Sequence, residues 1–362
     1  MTKTICMFNQ KGGVGKTTTV VNLAAVMARN EKKVLVIDMD PQGNTTTGLG
    51  FQKDDIEKTI YDLFFDRTNV EDHILHSQNA KGVDLIGANS SLSGLEVELI
   101  EFDKRERQLK DIIQNIKKDY DFILIDCPPS LGLLSINALV ASDSVLIPIQ
   151  CEYYALEGVS ELLRTYNMVK NSLNRNLTIE GVLLCMFDSR NNLSIEVAEE
   201  VKEYFKDKVF ATMIPRNIKL AEAPSYGLSV IDYEKNSKGA KAYTRLCMEI
   251  IENNKDFIQK EDKEILKDTD KKDKDLSKEV NVEENSNEIK EDTSVNDNIK
   301  ESSKDVEDDL SKEEKSQDNE PNTSNDDIET NKELEETNSD KESEESSETI
   351  EEDLEDTDVK KN

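Results

Sequence analysis

The 362-residue sequence has no C-x-x-C pair, only two histidines and no apolar run long enough to cross a bilayer. From residue 261 to 362 it has no aromatic side chain, and no alanine, methionine or cysteine. Each absence removes a class of function. Five scattered cysteines (Cys6, Cys127, Cys151, Cys185 and Cys247) without a close pair argue against a zinc or iron–sulfur site and against a disulfide framework. They read as reduced thiols in or near a core. Membrane-spanning helices need about 18 apolar residues in a row, and no charged-then-apolar leader precedes the first glycine-rich loop. The expectation is a soluble, cytoplasmic protein. His73 and His76 fall in a segment that reads as a surface helix or loop, so both are expected to be solvated, and no histidine–serine triad is visible.

Charge divides the chain. Of 77 acidic and 46 basic residues, 40 and 15 lie in 261–362, where only 15 side chains are Ile, Leu or Val. A segment so poor in apolar surface cannot offset its conformational entropy, and the composition predicts disorder. Residues 1–258 are expected to fold and 259–362 to form an acidic, low-complexity tail. The formal charge of −31 is mostly a property of that tail.

The foldable part alternates short apolar runs with helix-period stretches. Runs at 4–8, 33–38, 83–87, 122–126, 144–149 and 181–187 read as strands, and 16–30, 103–118, 152–173, 193–206 and 237–255 as helices. Most of the strands are apolar on successive residues, as expected where both faces are covered. The alternation predicts an α/β fold, a mostly parallel sheet with helices on both faces. Ligands of such sheets bind at the carboxyl ends of the strands. The loops 9–18, 38–44, 126–132 and 188–191 are therefore expected to converge on one rim.

The first of these loops carries the chemistry. "FNQKGGVGKTTT" nearly satisfies the phosphate-loop pattern G-x-x-x-x-G-K-[ST], but Gln10 stands where its first glycine belongs, and Lys11 adds a positive charge. Gly12, Gly13 and Gly15 free the backbone to wrap an anion, and a helix starting near Lys16 aims its positive end there. In this pattern Lys16 reaches the β- and γ-phosphates and Thr17 offers a hydroxyl to Mg²⁺. A dinucleotide loop is disfavoured, because G-x-G-x-x-G would need glycine where Thr18 stands. Asp38 and Asp40, two apart at a strand end, are expected to point to the same side. Asp126 ends the run "FILI" at a strand end, and the turn-rich "DCPPS" that it opens also suits a helix or turn cap.

Four stretches in order, "KGGVGKTTT", "VLVIDMDPQGN" (34–44), "DFILIDCPPSLG" (121–132) and "IPRNIKLAEAPSYG" (214–227), resemble the deviant-Walker ATPases of the ParA/Soj chromosome-partitioning family. The resemblance runs from residue 3 to about 255 and implies a P-loop NTPase fold of the SIMIBI type. It implies ATP and Mg²⁺ as ligands, bound by Lys11, Gly12, Gly13, Val14, Gly15, Lys16, Thr17 and Thr18, with Pro215 and Asn217 against the adenine. Lys11 would cross a homodimer interface, beside Gly12, to touch the partner subunit's phosphates, and Asp40 would orient the attacking water. Catalysis would rest on Asp40, Lys11 and Lys16. Thr17 would hold the Mg²⁺, with Asp126 acting through water.

Non-specific duplex DNA would be met by Arg190, Arg216 and Lys219, with Lys235, Lys238, Lys241 and Arg245 adding basic surface. The plainer alternative is that these are ordinary solvated charges, and a lysine at 219 is a weaker planar phosphate contact than arginine. The implied function is an ATP-gated dimer switch on the nucleoid, triggered by a ParB-type centromere-binding partner.

Three rivals share the fold. A MinD-like membrane-positioning ATPase would end in a basic amphipathic helix, whereas this chain ends "TIEEDLEDTDVKKN". A metal-cluster carrier would need the missing cysteine pair. An ATPase that positions a different cargo stays open. No helix-turn-helix is expected before the phosphate loop, as in short chromosomal members. The acidic tail departs from the family and is expected to compete with DNA, aid solubility or act as a spacer.

Overall fold

The computed structural model describes residues 2–152, 155–255 and 257. The expected tail, 259–362, lies outside them. Seven strands form one sheet: β1 (Lys3–Met7), β2 (Val34–Asp38), β3 (Leu75–His76), β4 (Val83–Ile86), β5 (Phe122–Asp126), β6 (Ser144–Gln150) and β7 (Thr178–Cys185). Their order is β3-β4-β2-β5-β1-β6-β7, all parallel except the two-residue edge strand β3.

Side-chain alternation explains why the strands read as unbroken apolar runs. Along β2, Leu35 and Ile37 enter one core while Val34 and Val36 enter the other; in β5, Ile123 and Ile125 oppose Phe122 and Leu124 in the same way. Both faces are covered, so every position is buried.

The helices are α1 (Lys16–Arg29), α2 (Asn44–Gly48), α3 (Ile60–Leu63), α4 (Leu95–Glu98), α5 (Gln108–Gln114), α6 (Leu133–Ala141), α7 (Ala155–Ser172), α8 (Asn192–Phe205), α9 (Ile218–Glu222), α10 (Val230–Tyr233) and α11 (Lys238–Asn253). Helices α1, α10 and α11 cover one face, and α3 to α8 the other. The all-helix stretch expected at 103–118 is shorter than its pattern. Lys104 takes a left-handed φ of 49°, and the buried Gln108 side chain donates to the carbonyls of Asp103 and Lys104. That tight turn delays the helix until Gln108. Helix α6 had no periodic signal because it is apolar nearly all round, as a buried helix is.

One reading needs correction. His73 is buried, not solvated: its Nδ1 pairs with the Asn69 carbonyl on a short turn packed onto the core, while His76 is exposed beside Asp84. Asp38 and Asp40 differ in surroundings: Asp38 is fully buried against Thr46, while Asp40 lines an open cleft. All five cysteines are free and buried, as expected.

Candidate functional site: a phosphate cleft joined to an apolar slot

The register β2–β5–β1 sets Asp38 beside Asp126 and Asp126 beside Met7, so three strand ends stop level. The glycine loop leaves β1 there. Gly13 (φ 74°) and Gly15 (φ 100°) take left-handed conformations that release the chain into α1. The absent first glycine is explained locally. The Gln10 amide donates to Thr165 of α7 at 3.0 Å, and Asn9 donates to the Pro148 carbonyl, so side chains pin the start of the loop. Val14 is buried in the core and can present only its backbone. Gly12 is different: a Cβ there would meet only Pro129, at an ordinary 3.9 Å. Nothing within one chain requires it to be bare.

A cleft of about 370 Å³ opens on this loop, lined by Gly13, Lys16, Thr17, Asp40, Gln42 and Pro129 among others. Lys16 is buried, its Nζ 3.3 Å from the Lys11 carbonyl, and burial lowers its pKa against the pull of Asp126 and Asp40. Asp126 Oδ2 accepts the hydroxyls of Thr17 at 2.6 Å and Thr45 at 2.7 Å, while its Oδ1 is buried without a hydrogen-bond partner. Thr45 escaped the sequence reading; its only signal was a hydroxyl inside "GNTTT". A threonine hydroxyl beside an orphaned carboxylate oxygen is a hard-oxygen donor set that fits Mg²⁺, which takes one or two protein ligands and completes its shell with phosphate and water. Among the described residues no cluster of three or more His, Cys, Asp or Glu offers an all-protein metal cage.

The carboxylates of 38 and 40 have different roles. Asp38 accepts from Thr46, through both amide and hydroxyl, and from the Asp40 amide, holding α2 and the loop before it. Asp40 lines the cleft and its Oδ1 accepts only the Gln42 amide at 2.9 Å. Burial, reinforced by the charge of Asp126, pushes Asp38 up to about 8, and burial pushes Asp126 up to about 6.

The unfolded values lie near 4, so the folded chain binds protons that the unfolded chain releases. That stabilisation is present below pH 4 and is lost as pH rises through 6 to 8. The urea midpoint of the nucleotide-free protein should therefore fall between pH 5.5 and 8.5, and Asp38→Asn should flatten that slope. Equal slopes would refute the pairing of these carboxyls.

A second cleft, about 390 Å³, shares Gly15, Thr18 and Met186 with the first and is walled by Ile214, Pro215, Asn217 and Tyr243. The expected base-side residues thus line an apolar slot continuous with the phosphate cleft. Met186 brings the end of β7 to the rim, with a left-handed φ of 53° turning the chain. Lys11 lines neither cleft. It is half exposed, its Nζ 3.8 Å from Glu152, which also meets Arg216 at 3.5 Å.

The three expected DNA contacts are each engaged by a carboxylate. Arg190 is gripped bidentately by Asp188, at 2.9 and 2.7 Å, which holds that carboxyl well below its usual range. Lys219 pairs with Glu222 at 2.8 Å over the Tyr233 ring, and Arg216 borders the apolar slot. Lys235, Lys238, Lys241 and Arg245 are exposed and have no ion-pair partner among the described residues.

This geometry is shared with known proteins. A family model described as "AAA domain" matches residues 2–179. The sporulation initiation inhibitor protein Soj of Bacillus subtilis is 54% identical over 253 residues, covering 70% of this chain and 100% of the relative. The chain belongs to the Soj/ParA family. Two solved structures carry the same fold. Cobyrinic acid a,c-diamide synthase of Mycobacterium smegmatis, with bound ADP and magnesium, is 34% identical with a TM-score of 0.60, covering 68% of this chain and 93% of that one. A putative plasmid partition protein of Borrelia burgdorferi, bound to AMPPNP, is 27% identical with a TM-score of 0.59, covering 70% of this chain and 100% of that one. This Soj/ParA chain is thus a P-loop protein of the ParA/MinD type. Among its described residues no helix is long and apolar enough to cross a membrane.

Proposed function

We propose that this Soj/ParA chain is an ATP-driven dimerising switch that binds duplex DNA without sequence preference and partitions a chromosome or plasmid with a ParB-type partner. The observation that carries it is the pair of adjoining clefts, one lined by Lys16, Thr17 and Asp40, the other apolar around Ile214, Pro215 and Tyr243. A nucleoside triphosphate has that polarity along its length. In this reading the amides of 12–18 wrap the phosphates, Lys16 neutralises their charge and Asn217 borders the base. Bound Mg²⁺, held by Thr17 and through water by Asp126, supplies charge neutralisation at the transferred phosphoryl group. Asp40 holds the attacking water in line.

Lys11 is the residue without a role in its own chain. Its half-exposed ammonium, outside both clefts, supports a role across the dimer interface, where Gly12 would admit the second backbone. Phosphoryl transfer demands positioning and charge compensation rather than covalent chemistry, so a cation delivered by dimerisation couples hydrolysis to assembly.

The testing experiment is binding of the full chain to random duplex DNA with ATP, ADP or no nucleotide, at several salt concentrations. Binding with ATP alone that weakens steeply with salt is the expected result, since non-specific contacts are phosphate neutralisation. Binding in no nucleotide state overturns the DNA part of the reading. Within the DNA surface, loss on Lys241→Glu but not on Arg190→Ala would place the contact on α11.

A further inference from the structure

Among the described residues two buried side-chain oxygens have no hydrogen-bond partner, Asp126 Oδ1 and Glu96 Oε1. They sit at opposite ends of one loop. Asp126 opens it at the end of β5, and Gly132 closes it directly before α6. The Glu96 carboxylate, carried there by α4, fills the space over the bare Cα of Gly132. A Cβ at that position would overlap Oε1 and fall 2.6 Å from the carboxyl carbon. An unpaired buried polar atom carries a desolvation cost and calls for an explanation. Asp126 has one in its fit to Mg²⁺. Glu96 lines neither cleft, so that explanation does not reach it.

The backbone of Gly132 does not require glycine, since its φ of −122° and ψ of −173° are extended. What the missing side chain provides is a seat for Glu96. Helix α6 brings no side-chain cap and no acidic residue in its first turn, although its first amides form the positive end of the helix. A carboxylate from another segment offsets that charge. Its carrier is held firmly, because Leu95 and Leu99 on either side of Glu96 are fully buried.

Between its two ends the loop is short and stiff. Pro128 and Pro129 fix their own φ angles. The Ser135 hydroxyl donates to the Ser130 carbonyl at 2.6 Å, tying the exposed tip to the first turn of α6. Pro129 lines the phosphate cleft and stands against Gly12. A shift at Gly132 is therefore felt at the cleft wall and at Asp126.

We infer that Glu96 is a positioning residue for hydrolysis: through Gly132 it holds the 127–132 loop, so that Asp126 and Pro129 keep their places around the reacting phosphate. The inference rests on the reading of the cleft as an ATP-hydrolysing site. Affinity in that reading resides in the amides of 12–18 and Lys16, so loss of Glu96 should slow turnover rather than weaken binding.

Two measurements on the full chain test it. In the first, Glu96→Ala should lower kcat about tenfold, within the range by which small misplacements slow turnover, with ATP affinity and Tm near wild type. Gly132→Ala, whose Cβ evicts the carboxylate, should give the same loss. The double variant should be no slower than either single one, because both changes break one contact. Losses that multiply in the double variant overturn the inference, as does an unchanged kcat in Glu96→Ala or a loss of affinity that matches the loss of kcat.

The second measurement needs no hydrolysis. Amide hydrogen exchange over 130–134 should be about tenfold faster in both single variants, with β5 as protected as in wild type, since a freed loop opens locally. Unchanged exchange overturns the positioning role. Faster exchange in both variants of a chain that does not hydrolyse ATP even as wild type keeps the loop anchor and sinks the hydrolysis reading instead.

Discussion

Asp40→Ala should lower ATP hydrolysis about a hundredfold, in the range that loss of one preorganised transition-state group gives, and leave ATP affinity within a few-fold of wild type. Asp40 is the carboxylate that lines the phosphate cleft without a structural role, since it accepts one backbone amide and holds no helix. Truncating it would remove the group proposed to orient the water and leave the loop amides and Lys16 in place. Because ATP would then bind without being consumed, the dimer should accumulate, and DNA binding in ATP should persist for hours rather than decay. Single-turnover hydrolysis and nucleotide titration on the same sample read the two quantities apart. A hydrolysis rate within threefold of wild type would remove Asp40 from the catalytic role. Asp38→Ala, by contrast, should damage folding, because that side chain caps Thr46 and the loop before α2.

The difference between these two aspartates shows what the sequence could and could not convey. The strands were legible because burial on both faces leaves a continuous apolar run, and the glycine loop because few residue types tolerate φ near 74° and 100°. The rim followed from topology for the loops 9–18, 38–44 and 126–132; no residue of 188–191 lines either cleft, and Met186 stands there instead. Side-chain roles at strand ends were not legible, since spacing brings both carboxylates to the rim and only their contacts separate them: Asp38 holds Thr46, and Asp40 lines the cleft. Thr45 was hidden for another reason. Its contact with Asp126 spans 81 positions and depends on α2 folding back over the sheet, which no local pattern encodes. The basic residues Arg190 and Lys219 were visible as charges, but their carboxylate partners Asp188 and Glu222, two and three residues away, became meaningful only as contacts in the fold. Sequence spacing shows that neighbours can meet; it does not show whether they do.

The two lysines of the loop should separate cleanly. Lys16→Ala should abolish measurable ATP binding, because each charge-assisted hydrogen bond to phosphate is worth about 1.5–3 kcal/mol and Lys16 is the buried cation facing the cleft. Lys11→Ala should leave the affinity of the single chain for ATP nearly unchanged, since Lys11 lines neither cleft. The variant should also fold normally: at 3.8 Å, with both partners more than a third exposed, the Lys11–Glu152 pair contributes little. What Lys11→Ala should remove is ATP-dependent dimerisation, measured by sedimentation in an Asp40→Ala background so that hydrolysis does not reverse the association. A triphosphate bound by Lys16 alone retains negative charge, and two such sites brought face to face would repel unless each receives a cation from the other chain. If the double variant dimerises as well as Asp40→Ala alone, that compensation comes from elsewhere and Lys11 has no role across the interface. If Lys11→Ala loses ATP binding as completely as Lys16→Ala, the ammonium must swing from Glu152 into its own cleft, and the loop's second positive charge serves one chain rather than two.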